Sequence, residues 1–167
     1  MKRFLLNNGS EYSYEQLLAS LNESDKYYLL YKQLDLYLFF VNLIKALANN
    51  APLVLLDADL NETEIDGVNV AEINVPTKIV STTFVNMEAV VEAVKNSTSE
   101  ITIFTSGTTG QPKKVVHCVQ TLMRAVRFGE KYINQVWAYA YNPTHMAGLQ
   151  VFFQALLNRN SIIRLFG

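Results

Sequence analysis

The residues whose types could do chemistry are concentrated in one stretch of the chain, ITIFTSGTTGQPKKVV. Its glycines permit backbone angles closed to other residues and let the main chain approach a ligand. Its hydroxyl and backbone N–H groups donate hydrogen bonds, and its first lysine adds a mobile positive charge. This set of donors predicts a loop that binds phosphate oxygens. The residues predicted to bind phosphate are Thr105, Ser106, Gly107, Thr108, Thr109, Gly110 and Lys113.

Two familiar phosphate motifs differ from this stretch. In Walker A the lysine directly follows the second glycine, whereas Gln111 and Pro112 separate Gly110 from Lys113. The dinucleotide-binding pattern G-x-G-x-x-G is absent from the stretch. A polar hairpin turn with a solvated lysine pair is the alternative, but an ordinary turn does not need four hydroxyls after an apolar strand.

Residues 104–113 resemble the signature of the adenylate-forming superfamily, which includes acyl-CoA synthetases, aryl-CoA ligases, luciferases and nonribosomal adenylation domains. That signature is an aromatic residue, Thr-Ser-Gly-Thr-Thr-Gly, any residue and Pro-Lys-Gly. The sequence departs from it at Lys114, where glycine is usual. A second departure is Val119, where the family often has a histidine, and His117 lies two residues earlier.

The resemblance implies two half-reactions. A carboxylate oxygen attacks the α-phosphate of ATP to give an acyl-adenylate and pyrophosphate, and a thiol, usually that of coenzyme A, then takes the acyl group. Residues 105–110 and Lys113 would hold the β- and γ-phosphates with Mg²⁺, because the protein mainly positions groups and stabilises charge in such displacements. The implied cofactors and co-substrates are ATP, Mg²⁺ and coenzyme A.

A second stretch, YNPTHMAGLQ, lies where a predicted strand runs into a predicted helix. Its Pro143, His145 and Gly148 resemble the family's second motif. The resemblance implies that His145 borders the acyl-substrate pocket and that the helix of Gly148 forms a pocket wall. A helix cap or a packed polar residue is the alternative interpretation of His145.

The residues around this motif also bear on the substrate. Amino-acid-activating relatives place an aspartate in the motif to hold the ammonium group, and no acidic residue lies between Lys131 and Gly167. A buried ammonium without a carboxylate partner is unfavourable. We therefore expect a carboxylic acid without an α-amino group, such as a fatty, aromatic or succinylbenzoate-type acid. Phe152 and Phe153 could line its pocket, but a core position is the favoured interpretation.

The resemblance covers the front part of a normal family member. Relatives carry later a Tyr-Gly-x-Thr-Glu segment, a ribose-binding aspartate, a hinge and a mobile domain with a catalytic lysine, and none of these occurs in the 167 residues. We therefore expect residues 1–167 to be a partial N-terminal AMP-binding domain of an acid-thiol ligase, inactive alone and without a catalytic residue. The alternative is a non-catalytic nucleotide-binding or interaction module that is complete at this length.

The elements around both stretches predict an α/β fold with a largely parallel sheet flanked by helices, the N-terminal part of a large adenylate-forming domain. Hydrophobic spacing predicts a long helix over 26–48 and an amphipathic helix over 120–134. Ser13, with Gln16 three residues on, is predicted to cap a helix, and Asn86 is predicted to cap another. A further helix is predicted over 147–158. Strands are predicted at 3–6, as a sheet edge, and at 53–60, 101–104, 115–118, 136–140 and 161–166. The polar residues 61–75 are expected to carry one short strand, and 78–82 another.

Composition narrows the function classes. The 14 basic and 15 acidic residues create no strong field of either sign, so we expect neither a nucleic-acid nor a membrane partner. The apolar runs are too short for a secretion signal or for the ~20 residues of a membrane span, which favours the cytoplasm. The lone Cys118 excludes an internal disulfide and is expected to be a core thiol. Asp57 and Asp59 are expected to be turn residues and not metal ligands.

Overall fold

The computed structural model of the protein describes residues 1–80, 82–105 and 112–164, without the side chain of Glu64. The strands are β1 (Arg3–Asn7), β2 (Ser10–Ser13), β3 (Lys26–Tyr28), β4 (Leu30–Lys32), β5 (Leu53–Leu56), β6 (Pro76–Lys78), β7 (Glu100–Thr105), β8 (Lys113–Cys118), β9 (Val136–Ala138) and β10 (Ser161–Arg164). The helices are α1 (Tyr14–Asn22), α2 (Leu36–Ala48), α3 (Met87–Lys95), α4 (Val119–Met123) and α5 (Met146–Leu157), with short 3₁₀ turns at Glu62–Glu64, Val70–Glu72 and Glu130–Tyr132.

Two four-stranded sheets form the framework, in the orders β4-β5-β7-β8 and β2-β1-β10-β9. In each sheet three neighbouring strands run parallel, and one outer strand, β8 or β2, is antiparallel. Side chains from both sheets and from the helices belong to one buried core cluster. The predicted α/β class with largely parallel sheets is therefore confirmed. Strand β1 is not the expected sheet edge, because it lies between β2 and β10.

The predicted helix over 26–48 is wrong in its first part. Residues Lys26–Tyr28 and Leu30–Lys32 are strands, and the helix begins at Leu36, where the Asp35 side chain accepts a hydrogen bond of 2.9 Å from the N–H of Leu38. The amide of Asn42 also binds the backbone of Tyr28, accepting from its N–H at 2.8 Å and donating to its carbonyl at 2.9 Å. Strand pairing and this buried amide override the helical spacing, since tertiary contacts outweigh intrinsic propensity.

The predicted helix over 120–134 is present only in its first turn and wrong beyond it, because α4 ends at Met123. The buried amide of Gln154 accepts a 2.7 Å hydrogen bond from the N–H of Arg127 and donates one of 2.9 Å to its carbonyl. The N–H and the carbonyl of Arg127 are therefore not available for the hydrogen bonds of an α-helix. Gly129 then adopts a φ of 123°, which glycine accommodates without steric cost.

Smaller differences concern the connections. Residues 61–75 contain two 3₁₀ turns where a strand was expected, and β6 lies at Pro76–Lys78 instead of within 78–82. Cys118 is exposed and not a core thiol. Its pKa is lowered, first by a hydrogen bond between its Sγ and the Thr121 hydroxyl, 3.0 Å apart. Among the residues that the structure describes, no helix has both the length and the apolarity needed to cross a bilayer.

The predicted cap of α1 is confirmed. The Ser13 hydroxyl accepts from the N–H of Gln16 at 3.2 Å, and the Gln16 side chain accepts from the N–H of Ser13 at 2.7 Å. Because these bonds satisfy N–H groups that the helix leaves unpaired, Ser13→Ala is expected to lower the free energy of unfolding by about 1 kcal/mol. Urea unfolding followed by circular dichroism measures the change. Ser13→Thr keeps the hydroxyl and is the matched control, and equal losses in both variants would contradict a capping role.

Candidate functional site

The predicted phosphate-binding stretch lies on a β-hairpin. Strands β7 and β8 pair antiparallel with Thr105 opposite Lys113, so these two residues mark the base of the connecting loop. Strand β7 also pairs in parallel with β5. The hairpin therefore leaves the sheet at the carboxyl end of a parallel strand, which is where α/β sheets bind ligands. The remaining predicted donors lie outside the described residues: Ser106, Gly107, Thr108, Thr109 and Gly110.

Burial changes sharply at the end of β7. Phe104 is buried, whereas Thr105 and Lys113 are exposed. Within the described part of the chain, Lys113 makes no ion pair. Its ammonium group and the Thr105 hydroxyl thus lie at the surface, at the point where the chain leaves the core.

The second predicted stretch places His145 beside this hairpin. His145 is the N-cap residue of α5, but its side chain makes no capping hydrogen bond. Its ring lines a cleft of about 450 Å³, and Thr105 lines the same cleft. The full lining is Ile103, Phe104, Thr105, Val115, His117, His145, Met146 and Ala147. The structure therefore brings the hairpin and the histidine of the second motif to one cleft, while Lys113 and Gly148 lie outside its lining.

Gly148 has a packing role next to this cleft. It is buried in the first turn of α5, and a Cβ added there would lie 2.2 Å from the carbonyl oxygen of Asn142. The same Cβ would lie 2.9 Å from the hydroxyl of Tyr139. Only glycine lets the helix approach the preceding loop this closely, since real Cβ atoms do not tolerate such distances. The absence of a side chain at Gly148 thus allows the close contact between α5 and the loop that leads to His145.

Asp57 is a site residue that sequence reasoning placed only in a turn. The turn is present, because Asp57 Oδ1 accepts from the N–H of Asp59 at 3.1 Å. Its other oxygen, Oδ2, accepts a 2.6 Å hydrogen bond from the Asn142 side chain and lies 3.3 Å from His145 Nε2. Asp57 follows β5 of one sheet, and the loop of Asn142 and His145 follows β9 of the other. The only sign of this role in the sequence was the position of Asp57 directly after a predicted buried strand. No nearby residue linked Asp57 to His145.

Asp57 is one of the residues that line a second cleft of about 250 Å³. Tyr139 lines it and is almost fully buried, and this burial raises the pKa of its hydroxyl above the ordinary range. That hydroxyl has no hydrogen-bond partner among the described residues. Asp57 thus lines this more polar cleft, and its partner His145 lines the more apolar cleft at the hairpin.

The part of the chain that the structure describes contains no group of three or more His, Cys, Asp or Glu side chains placed to hold a metal ion. Mg²⁺ in nucleotide sites is commonly bound through substrate phosphates and water, with one or two carboxylates. The Lys113 ammonium and the Thr105 hydroxyl at the base of the hairpin are suited to the phosphate oxygens that would carry such an ion, and the ammonium is not a ligand for the ion itself.

Comparison with known proteins gives a structural answer only. No family model matches the sequence, and no curated protein matches it. The structure of o-succinylbenzoate CoA synthetase (MenE) from Bacillus subtilis, in complex with the acyl-adenylate intermediate OSB-AMP, matches with a TM-score of 0.61 and 15% identity over 98% of this chain. The N-terminal domain of FACL13 from Mycobacterium tuberculosis matches with a TM-score of 0.64 and 12% identity, also over 98%.

The N-terminal subdomain of NpsA from Klebsiella oxytoca, in complex with 3-hydroxyanthranilyl-AMSN, matches with a TM-score of 0.60, 15% identity and 98% coverage. This chain has the fold of the N-terminal part of an adenylate-forming enzyme. It spans 41%, 53% and 49% of the MenE, FACL13 and NpsA chains. In this adenylate-forming fold, the hairpin of the first motif and the loop of the second flank the larger cleft.

Proposed function

We propose that residues 1–167 are a partial N-terminal AMP-binding domain of an AMP-forming carboxylic acid–thiol ligase. The observation that carries the proposal is the shared cleft: Thr105, the last residue of β7 and the first predicted phosphate donor, and His145 line one cavity in a fold like those of MenE and FACL13. A cavity of about 450 Å³ also has the size of a small-molecule site. The thiol acceptor in this proposal is coenzyme A.

The roles of the residues follow from their charge and exposure. Lys113 and the hydroxyl-bearing loop would hold the β- and γ-phosphates of ATP, with Mg²⁺ carried by the phosphates. A carboxylate oxygen of the substrate attacks the α-phosphorus, the bond to the β-phosphate oxygen breaks, and pyrophosphate leaves with the bonding electrons. In such a displacement the protein contributes positioning and charge stabilisation. The exposed ammonium of Lys113 supports this role, because within the described residues no carboxylate neutralises it.

The lining of the cleft supports a substrate with an apolar body. Its side chains are mostly apolar, and the polar ones are Thr105, His117 and His145. The nearby carboxylate of Asp57 already accepts from Asp59 and Asn142 and pairs with His145. Asp57 is not part of the cleft lining, and these contacts are all within the protein. This supports the expected substrate class, a fatty, aromatic or succinylbenzoate-type carboxylic acid without an α-amino group.

A pyrophosphate-exchange screen of carboxylic acids tests the proposal on the longest in-frame protein that carries these residues. We expect exchange with at least one acid of this class and none with the matched α-amino acids. The 167-residue chain alone is expected to bind a non-hydrolysable acyl-adenylate analogue weakly and to turn nothing over. Nucleotide binding without exchange for any acid would contradict the ligase and support the non-catalytic module.

Lys113→Ala is expected to reduce the kcat/KM of pyrophosphate exchange for ATP about 100-fold, which is the usual loss when one preorganised donor to a charged transition state is removed. The measurement is steady-state exchange at saturating carboxylic acid. Lys114→Ala is the matched control, because neighbouring strand residues point to opposite faces, and we expect little change. If a double Lys113→Ala/Thr108→Ala variant exchanged pyrophosphate at the normal rate, the site assignment would be wrong.

A further inference from the structure

The side chain of His145 is held by a carboxylate from a distant part of the chain. We propose that Asp57 is a positioning residue, which orients the His145 ring through Nε2 so that Nδ1 is the nitrogen left for a ligand in the larger cleft. The effect on a substrate rests on the proposed function, whereas the orientation of the ring does not.

Asp57 is suited to this task because it is itself fixed. Its side chain is only 15% exposed. Its Oδ1 accepts from the backbone N–H of Asp59 at 3.1 Å, and its Oδ2 accepts from Asn142 Nδ2 at 2.6 Å. A carboxylate locked by two such bonds presents Oδ2 to His145 Nε2, 3.3 Å away, from one direction only.

Asn142 is in turn held by Thr144. Its Oδ1 accepts from the Thr144 N–H at 3.0 Å and from the Thr144 hydroxyl at 2.8 Å. The carbonyl of Asn142 also accepts a 3.2 Å hydrogen bond from the N–H of His145. The backbone and the ring of His145 are therefore both tied to the same small network, which joins β5 to the start of α5.

The ring has a free nitrogen in this arrangement. Imidazole has two ring nitrogens, and the contact with Asp57 engages only Nε2. His145 makes no capping bond to α5, and no other residue in the described part of the chain binds its ring. The side chain is 55% exposed and the residue lines the larger cleft, so Nδ1 is the ring nitrogen left for a ligand there.

The orientation can be tested on the 167-residue protein without any substrate. Its two histidines give separate side-chain signals by NMR, and His117 serves as an internal control. In protein with ¹³C-labelled histidine, we expect the His145 ring to show the order parameters of a rigid group, about 0.8, and to fall below about 0.6 in Asp57→Ala. Asp59→Asn, in the same turn but without contact to the ring, should leave His145 rigid. A His145 ring equally mobile in the wild type and in Asp57→Ala would overturn the proposal.

The effect on a substrate is tested by kinetics on the longer, exchange-competent protein. Asp57→Asn keeps the size of the side chain but removes its charge, and we expect the KM for the carboxylic acid to rise about tenfold, which corresponds to a loss of about 1.4 kcal/mol in binding. The KM for ATP should stay nearly constant. In a His145→Gln background the same substitution should have almost no further effect, because Asp57 acts through the ring.

These outcomes separate the two proposals. Additive effects of Asp57→Asn and His145→Gln, or equal increases in both KM values, would overturn the positioning role while leaving the ligase in place. A ring that loses its order in Asp57→Ala, in a protein that exchanges pyrophosphate with no acid, would support the positioning of His145 and refute the ligase.

Discussion

Phe40→Ala is expected to lower the free energy of unfolding by about 4 kcal/mol, the usual cost of truncating a fully buried phenylalanine. Phe40 is 0% exposed and lies on α2 between elements of the core. Its ring stacks on Phe152 of α5 at 4.7 Å between centroids, and it meets Phe4 of β1 and Tyr139 edge-on at 5.9 and 5.5 Å. Such pairs add to the stability gained from burial alone. Because the surrounding rings belong to different elements, they cannot collapse together into the cavity.

Chemical denaturation followed by circular dichroism measures this loss. Leu38→Ala is the matched control on the same helix, because Leu38 is 48% exposed and its truncation should change stability by less than about 1 kcal/mol. A loss below about 1 kcal/mol for Phe40→Ala itself would mean that the aromatic cluster does not hold α2 against α5 and β1.

Features that depend on nearby residues were predictable from the sequence. The cap of α1 needs only Ser13 and Gln16, and the cap of α3 needs only Asn86, whose side chain accepts from the N–H of Ala89 at 2.9 Å. The buried strand before the phosphate-binding stretch and the returning strand after it were also predicted, although the returning strand begins at Lys113, paired with Thr105, and not at 115. The predicted core position of Phe152 and Phe153 is confirmed by their complete burial.

Features that depend on distant residues were not predictable. The residues before α2 have helical spacing, but the side chain of Asn42 binds both backbone groups of Tyr28 and helps to keep that segment extended. The helix predicted over 120–134 ends early, at Met123, for a similar reason, because the Gln154 side chain binds the backbone N–H and carbonyl of Arg127. In both places a buried side-chain amide from elsewhere in the chain replaces the local helical bonds.

The candidate site also combines features that the sequence predicted with one that it could not predict. The two motifs identified His145 and the base of the hairpin, and the structure places Thr105 and His145 on one cleft. The partner of His145 could not be found in this way, because Asp57 belongs to the turn after β5 and reaches the histidine across the two sheets. The second motif itself contains no acidic residue. The structure places the carboxylate of Asp57 beside it, where it contacts Asn142 and His145.

Gly148→Ala is expected to lower the free energy of unfolding by on the order of 3 kcal/mol, although alanine is the better helix former by about 1 kcal/mol. The clash outweighs propensity because the new Cβ would lie 2.2 Å from the backbone oxygen of Asn142, which no rotamer change can move. The reverse substitution at the preceding position, Ala147→Gly, is the matched control. Ala147 is exposed, so this variant should lose only the propensity difference of about 1 kcal/mol.

The same clash should disturb the site, because relief requires α5 and the loop of Asn142 to move apart. Asn142 binds Asp57 at 2.6 Å and receives the N–H of His145 at 3.2 Å. A shift of this loop would therefore release the His145 ring, and we expect Gly148→Ala to lower its NMR order parameter even where the protein remains folded. A variant as stable as the wild type, with a rigid His145 ring, would show that the loop and the helix do not need this close approach.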